Sequence, residues 1–292
     1  MSKGLLDPKV DFVFKNIFGS PNHPEILISF LNATLKAKKK IVNVDIKKTD
    51  IEKQYIEDKY SRLDVKARTS NDEIINIEIQ LKNENNMVKR SLYYLSKMYE
   101  EQLNEKEDYS KLVRTVCINI LNFKYLKTDN FHTGYRFKEI ESNEELTDIM
   151  EVHFIEIPKL QDSSDEKDML VAWTEFLKDP ESEKVRGLEL SIEEIRQAKD
   201  ELIRMSNDST QRELYDMRAN SLRDKMSELN AAERKGIEKG REEGREEGRK
   251  EGIEEGRKEE KIEIARNMKL SGLDTNTIAK VTNLSEDEID KL

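Results

Sequence analysis

The sequence predicts an α/β domain followed by a helical C-terminal part. Two runs within residues 62–83 alternate apolar and polar side chains, which is typical of strands with one buried face. Apolar residues recur at helical spacing in the segments before and after these runs. From Ser191 onwards the pattern is helical and strongly charged. Strands interspersed with helices, followed by helices alone, indicate an α/β fold with a helical tail.

Two helices and a short strand are expected before the central strands. Asp7 and Pro8 have the residue types of a helix start, and we expect this helix to run over 7–19. A second helix at 24–37 and a strand at 41–46 follow.

Further helices and strands are expected after the central strands. Apolar stripes predict helices at 87–103 and 168–178, and apolar runs predict buried strands at 113–123 and 152–157. Trp173, the only tryptophan, lies in the second of these helices, and we expect it in the core.

The C-terminal part contains a glycine repeat and a group of short helices. Glycine recurs every four residues over 236–256, with charged residues between. Each glycine lowers helix stability by about 1 kcal/mol relative to alanine, so we expect a marginal helix that acts as a tether. A partner helix packed along the glycine row is the alternative. Residues 261–292 resemble a small helix-turn-helix, with a turn at Gly272 and a capping box of Ser285 and Glu288. A small helical bundle for protein contacts is the alternative.

The composition points to an intracellular protein with an extended part. Charged residues make up 38% of the 292 residues, too many for one compact globule. Cys117 is the only cysteine and lies in an apolar run, so we expect a buried thiol in a reducing compartment. The sequence has no signal-peptide core and no apolar run near the ~20 residues of a membrane span. The expected location is the cytoplasm, with no membrane partner.

The net charge of −10 is unevenly distributed along the chain. Residues 1–125 carry 22 Lys and Arg against 18 Asp and Glu, whereas the remainder carries 29 against 43. The acidic excess therefore belongs to the C-terminal part, and the N-terminal part is compatible with a phosphate backbone as its partner.

The central hairpin places polar side chains together on one sheet face. A register with Asp64 opposite Glu78 puts both apolar sets on the other face. By the period of two, Gln80 and Lys82 then lie beside the two carboxylates. A solvated strand face is the plainer interpretation. The functional interpretation is a divalent-metal site, with Asp64, Glu78 and the carbonyl of Ile79 as ligands.

These residue types suit phosphodiester hydrolysis. Mg²⁺, or Mn²⁺ as the alternative, neutralises the phosphate, helps to deprotonate water and stabilises the leaving oxygen. Gln80 or Lys82 would orient the attacking water or meet the developing negative charge. Other catalytic classes find no support, because the three histidines lack metal-ligand spacing and the sequence has no P-loop, Rossmann or GxSxG motif.

Side chains outside the hairpin are candidates for the same site or for DNA contact. Asp11 is either the partner of Lys15 in a surface ion pair or an accessory acidic residue near the metal. In the helix at 87–103, Arg90 and Tyr94 belong to an interleaved basic and aromatic set that suits a nucleic-acid strand. Amphipathic packing is the alternative for that set. Our candidate DNA contacts are Lys15, Arg90 and Tyr94.

Five segments carry a family resemblance. They are VDFVFKNIFG (10–19), ILISFLNATL (26–35), RLDVKARTSNDEIINIEIQ (62–80), KRSLYYLSKMYEEQL (89–103) and VHFIEIPKL (152–160). Their order and spacing resemble those of the Rpn-type recombination-promoting nuclease and transposase family. Asp64, followed by Glu78-Ile79-Gln80, resembles the PD-(D/E)xK nuclease signature in an E-x-Q form. The resemblance covers about residues 5–180, and the glycine-rich tail is also similar to tails in that family.

The resemblance implies a restriction-endonuclease-like core, with a mixed central sheet flanked by helices, and Mg²⁺-dependent DNA cleavage. Asp64, Glu78 and Gln80 match the motif positions, and Asp11 matches an acidic position in the first helix of the family. The usual lysine of the motif is Gln80 in this sequence, and Lys82 is the candidate that would replace its charge.

Two functions follow from these observations. The first is a Mg²⁺-dependent DNA endonuclease linked to recombination or mobile elements, working as a homodimer through its core or its C-terminal helices. The second is a weakly active or inactive module with the same fold. The expected parts are a nuclease-like domain (1–180), a charged helical segment (181–230), the repeat (231–260) and the helix-turn-helix-like bundle (261–292).

Overall fold

The computed structural model describes residues 4–37, 39–47, 65–165 and 167–292, apart from the side chain of Lys225. Two units divide the chain, Met1–Leu222 and Arg223–Leu292. The described helices are α1 (Asp11–Phe18), α2 (Pro24–Leu35), α3 (Met87–Glu100), α4 (Met169–Lys178), α5 (Glu183–Ser191), α6 (Glu193–Asn207), α7 (Ser209–Leu270), α8 (Thr275–Thr282) and α9 (Glu286–Asp290). The described strands are β1 (Val44–Lys47), β2 (Val65–Thr69), β3 (Ile74–Gln80), β4 (Thr115–Leu121), β5 (His132–Lys138) and β6 (Glu145–Glu156). Short 3₁₀ turns lie at Tyr109–Lys111 and Ile157–Lys159.

The described strands of the first unit form one mixed sheet in the order β1-β2-β3-β4-β6-β5. Parallel pairing joins β3 to β4 and β4 to β6, and the other neighbouring strands are antiparallel. Parallel neighbours need a crossover connection, and α3 lies in the connection between β3 and β4. The predicted α/β fold with a mixed sheet, flanking helices and a helical tail is confirmed.

Helices cover both faces of this sheet. On one face, α1, α2, α4, α5 and α6 pack on alternate side chains of the central strands, such as Ile77 of β3. Trp173 of α4 is fully buried there and its ring contacts Phe18, which confirms its place in the core. On the opposite face, α3 packs through Met87 and Leu95. The polar face of the central hairpin therefore lies under α3 and is not open to solvent.

The differences from the elements expected from the sequence include those at α1, β5 and β6. Helix α1 begins at Asp11, because Asp7 instead accepts the N–H of Lys9 at 2.9 Å in a turn before the helix. Strand β5 was missed: Tyr135 and Phe137 alternate with Arg136 and Lys138, but the run is short and its side chains are mostly exposed at the edge of the sheet. Strand β6 starts at Glu145, ahead of the expected 152–157, because its first residues pair only with β5 and are largely exposed.

The expected domain boundary at residue 180 stays a prediction. Helices α5 and α6 lie beyond that residue and supply buried side chains, including Val185 and Leu202, to the core of the first unit. The N-terminal part and these helices therefore share one core.

The second unit ends in a small group of helices. Ala265 of α7, Ile278 of α8 and Ile289 of α9 form a buried cluster. Gly272 has a φ of 80° in the turn between α7 and α8, a conformation that glycine adopts without strain. Ser285 forms the predicted capping box at the start of α9.

The glycine repeat lies within α7, also in the second unit. A Cβ atom added at any of its six glycines would meet no atom within 4 Å in the described part of the chain. Over the residues that the structure describes, nothing therefore packs closely along the glycine row. Among the described residues, no helix is both long enough and apolar enough to cross a membrane.

Candidate active site

The register of the central hairpin follows the expected one over the described residues. Val65 lies opposite Ile77 and Ala67 opposite Ile75, so both apolar sets face the helix-rich side of the sheet. Asp64, the first of the expected metal ligands, lies outside the described residues. The structure therefore describes this site from β3, the strand that carries Glu78, the second expected ligand.

Glu78 is a buried carboxylate at the centre of the sheet, on the face that α3 covers. Its side chain is 1% exposed. Its Oε2 accepts a hydrogen bond from Nε of Arg90 at 3.1 Å, and its Oε1 is buried without a hydrogen-bond partner among the described residues. Burial raises the pKa of Glu78 above its ordinary value of 4.5, and the positive charge of Arg90 opposes part of that rise. The plainer interpretation of this face, a solvated strand surface, is wrong because α3 packs over it.

Polar side chains of two strands surround Glu78. Asn76, two residues earlier on the same face, also has a buried amide oxygen without a partner among the described residues. Asn119 lies opposite Glu78 on β4, and its amide oxygen accepts a hydrogen bond from Ser91 of α3 at 2.8 Å. Cys117 is fully buried next to them, and burial with the charge of Glu78 raises the pKa of its thiol to about 12. The predicted buried thiol is confirmed.

The other expected members of the metal face occupy different positions. Gln80 ends β3, is half-buried, and its carbonyl accepts the N–H of Asn122 at 2.9 Å. Lys82 lies beyond the end of β3, so the alternation of side chains along the strand does not place Lys82 on the same face as Glu78. The side chain of Ile79 faces the opposite side of the sheet and is 5% exposed, and its carbonyl as a ligand stays a prediction.

Asp11 and Lys15 both lie on α1. Oδ2 of Asp11 accepts a hydrogen bond from Nη1 of Arg218 at 3.0 Å, so Asp11 has a partner that the sequence did not indicate. Lys15 is half-buried in the last turn of the helix. The roles of Asp11 as an accessory residue and of Lys15 as a DNA contact stay predictions.

The ring of Tyr94 is not available to a nucleic-acid base. It is 4% exposed, and the guanidinium of Arg90 lies 5.3 Å from its centroid. The neighbouring Tyr93 is 52% exposed, and its ring makes a T-shaped contact with that of Tyr94 at 5.6 Å between centroids. The expected role of Tyr94 in stacking on a base is therefore wrong. Its position on α3 turns the ring towards the protein interior, whereas Tyr93, one residue earlier, lies on the exposed side of the helix.

Arg90 is the functional contact that the sequence did not assign. We expected it to bind DNA, yet it bonds the buried carboxylate of Glu78. Helix α3 is the next element after β3 and crosses the face that bears Glu78. A cation near the start of that helix was therefore the available signal for an ion pair with Glu78. Asn76 and Asn119 gave no signal, because asparagine in a strand is not specific to a site.

The residues around Glu78 fit a divalent cation. A buried carboxylate oxygen and a buried amide oxygen, both without partners among the described residues, are the hard oxygen donors that Mg²⁺ and Mn²⁺ prefer. The described residues contain no group of three or more His, Cys, Asp or Glu that would hold a metal ion. A second carboxylate ligand is therefore expected from Asp64, which lies outside the described residues.

Comparison with known families gives two matches. Residues 8–232 match the model described as PD-(D/E)XK nuclease family transposase. Residues 258–292 match the model described as Rpn/YhgA-like nuclease family, C-terminal HTH domain. No curated protein and no solved structure matches the chain. The expected family resemblance and the helix-turn-helix interpretation of the last helices are confirmed.

Proposed function

Because the chain belongs to the PD-(D/E)XK nuclease family transposases, we propose that it is a Mg²⁺-dependent DNA endonuclease acting in recombination or on mobile elements. The observation that carries this proposal is the buried carboxylate of Glu78, whose Oε1 has no partner among the described residues. The helix-turn-helix match at residues 258–292 supports DNA as the partner. Mn²⁺ is the alternative cation.

Each residue of the proposed site has a separate task. Asp64, Glu78 and the carbonyl of Ile79 would hold the cation. A bound cation neutralises phosphate charge and makes its water more acidic. The carboxamide of Gln80 orients the attacking water through hydrogen bonds but adds no charge. The positive charge near the phosphate then has to come from Lys82 or Arg90, and Asp11 is an accessory acidic residue.

DNA contacts in the first unit are proposed for Lys15 and Arg90. We propose that the exposed ring of Tyr93 takes the stacking role first expected for the buried Tyr94. Arg90 would serve both Glu78 and the phosphate, which its five N–H donors permit.

A weakly active or inactive module is the second candidate function. The ion pair between Glu78 and Arg90 favours it, because a carboxylate already neutralised by a guanidinium has less need of a cation. Glutamine at position 80 favours it too, since a charged group is missing from the motif. In this case the chain would act through DNA binding or protein assembly.

Plasmid cleavage tests the proposal directly. Purified full-length protein is incubated with supercoiled plasmid and Mg²⁺, beside Asp64→Ala and Glu78→Gln. We expect the wild type to nick or linearise the plasmid, EDTA to stop it, and both variants to lose the activity.

A matched control is the exposed Asp72 in the turn of the same hairpin, whose φ of 62° suits asparagine equally well. Asp72→Asn should cut at the wild-type rate. An intact plasmid with the wild type, or equal cutting by Asp64→Ala, would reject the nuclease and leave the inactive module.

A further inference from the structure

A loop beside the candidate site is held in place by buried charges. Residues 122–131 follow β4, and the loop begins with the bond from the N–H of Asn122 to the carbonyl of Gln80. It therefore starts at the end of β3 that bears the proposed water-orienting residue. Parallel strands present their ligand sites at this carboxyl end.

Two buried side chains, one at the end of β6 and one in the 3₁₀ turn that follows it, bind the main chain of this loop. Oε1 of Glu156 accepts the N–H groups of Tyr125 and Leu126. Nζ of Lys159 donates to the carbonyls of Leu126 and Thr128 at 2.7 and 2.6 Å, and to Oε2 of Glu156 at 2.6 Å. All three ammonium donors are thus used. Burying an ion pair is costly unless every group is bonded, and this pair meets that condition by fixing the loop.

The side chains of the loop divide into an inner and an outer set. Phe123, Tyr125 and Leu126 pack against the apolar cluster beneath α3. The hydroxyl of Tyr125 accepts the N–H of Val88 at 3.4 Å, which ties the loop to the first turn of α3. Lys124 and Lys127 are exposed. The fixed backbone therefore presents two cations outward, next to the site.

We propose that Lys124 and Lys127 bind the phosphodiester backbone of duplex DNA and so place it over Glu78. This inference rests on the proposed function, since it names a second contact of the same site with DNA. Lys89, exposed in the first turn of α3, extends the basic surface, and Asp129 is the one acidic residue of the loop. A loop with a fixed backbone loses little further freedom on binding, so its charges act at a defined position along the duplex.

Salt-dependent binding tests the contact without relying on cleavage. The affinity of full-length Lys124→Gln/Lys127→Gln for a fluorescent duplex is measured in Ca²⁺ over a range of salt concentrations. Each lost phosphate contact lowers the slope of log affinity against log salt by about 1, so the double variant should lose about 2. Lys138→Gln/Arg186→Gln, which removes two exposed charges on β5 and α5, should keep the wild-type slope. Equal slopes for the wild type and the loop variant, or equal losses in both variants, would overturn the inference.

Crosslinking separates this contact from binding by the helix-turn-helix. The native Cys117 is fully buried, so a cysteine introduced by Lys124→Cys is labelled selectively with a photoreactive maleimide. We expect it to crosslink to the duplex, and the label on Lys138→Cys not to do so. No crosslink from position 124 overturns the inference even if plasmid is cut. A crosslink from position 124 with an intact plasmid keeps the inference and rejects the nuclease.

Discussion

Nε of Arg90 lies 3.1 Å from Oε2 of Glu78, joining α3 to the central strand of the sheet. Glu78 is almost fully buried, whereas the side chain of Arg90 is 25% exposed. Arg90 compensates the charge of a carboxylate that would otherwise be costly to bury. A cation bound at Oε1 would add to that compensation, so the stability of the fold and cation binding should be linked at this pair.

Arg90→Gln should destabilise the first unit and make its stability depend on Mg²⁺. Removing one partner of a fully buried ion pair costs about 3–5 kcal/mol, and the partial exposure of Arg90 reduces the expected loss below that range, to about 2–3 kcal/mol. Millimolar Mg²⁺ should restore part of this loss, because it supplies positive charge to the same carboxylate. The measurement is the urea-unfolding free energy with and without Mg²⁺.

Arg90→Lys is the matched variant for this experiment, since it keeps the charge and loses the guanidinium geometry. It should be destabilised less than Arg90→Gln and gain less from Mg²⁺. A gain in stability from Mg²⁺ that is no larger in Arg90→Gln than in the wild type would show that the cation does not meet Glu78.

The charge near position 80 should control the cleavage rate. Lys82→Gln should lower the single-turnover rate by about 10²-fold if Lys82 replaces the missing motif lysine, as for the loss of one group that stabilises the transition state. In that case, adding Gln80→Lys to Lys82→Gln should restore activity, because the second substitution places a positive charge at position 80 of β3, where the motif usually has lysine. The rates come from quenched-flow cleavage of a labelled duplex.

Lys89→Gln serves as the control, since Lys89 is an exposed cation on α3. It should change the apparent affinity for DNA more than the single-turnover rate at saturating protein. A full rate in Lys82→Gln would assign the missing charge to Arg90 instead.

The register of the hairpin could be predicted from the alternation of apolar and polar residues, whereas the mixed sheet flanked by helices was implied by the family resemblance. The register that pairs Val65 with Ile77 follows from putting both apolar sets on one face, and a one-residue slip would bury the charged set. What lies on the other face could not be predicted, because the packing of α3 over Glu78 is a tertiary contact. The role of Arg90 and the burial of Tyr94 both depend on that contact. Strand β5 was missed for a different reason: its alternation is limited to Tyr135 and Phe137, and both side chains are exposed at the edge of the sheet rather than part of a buried face.

Acid should destabilise the fold through His132. Nε2 of His132 lies 2.9 Å from Nδ1 of His153, whose Nε2 lies 2.7 Å from Oε1 of Glu151. Burial, together with the charge of His153, lowers the pKa of His132 from 6.5 to about 4. The unfolded chain therefore binds a proton between these values while the folded chain does not. Stability present above pH 6.5 is lost as the pH falls towards 4, by up to about 3 kcal/mol.

His132→Gln should flatten this dependence, because glutamine keeps a hydrogen bond to His153 but does not titrate. Urea unfolding at pH 7.0, 5.5 and 4.5 measures the effect. His23→Gln, which removes a histidine outside this cluster, should retain the loss of stability that is due to His132. Burial opposes but does not cancel the hydrogen bonds from His153 and Arg114, which together lower the pKa of Glu151 from 4.5 to about 2. The stability from Glu151 is therefore lost mainly below pH 4.5, so the change between pH 7.0 and 5.5 reports on His132. A wild-type slope between pH 7 and 4.5 in His132→Gln would exclude His132 as the group responsible.

Alanine in the glycine repeat should distinguish a tether from a helix interface. Nothing in the described part of the chain lies within 4 Å of a Cβ at Gly240, Gly244 or Gly248. Replacing all three by alanine should stabilise the isolated helix by about 1 kcal/mol per site, seen as a higher melting temperature in circular dichroism. Light scattering measures the mass of the triple variant and of the wild type. The predicted homodimer would have twice the chain mass of 34.2 kDa.

We expect the triple variant to keep the wild-type mass, because a tether has no partner along the glycine row. Gly187→Ala is the control, since a Cβ at this exposed position of α5 also meets nothing within 4 Å, so it should raise stability without altering mass. A dimer that dissociates only in the triple variant would place a second copy of the helix against the glycines, since each added methyl group would hold the two backbones apart. A monomeric wild type would reject the homodimer outright, whichever surface it was assigned to.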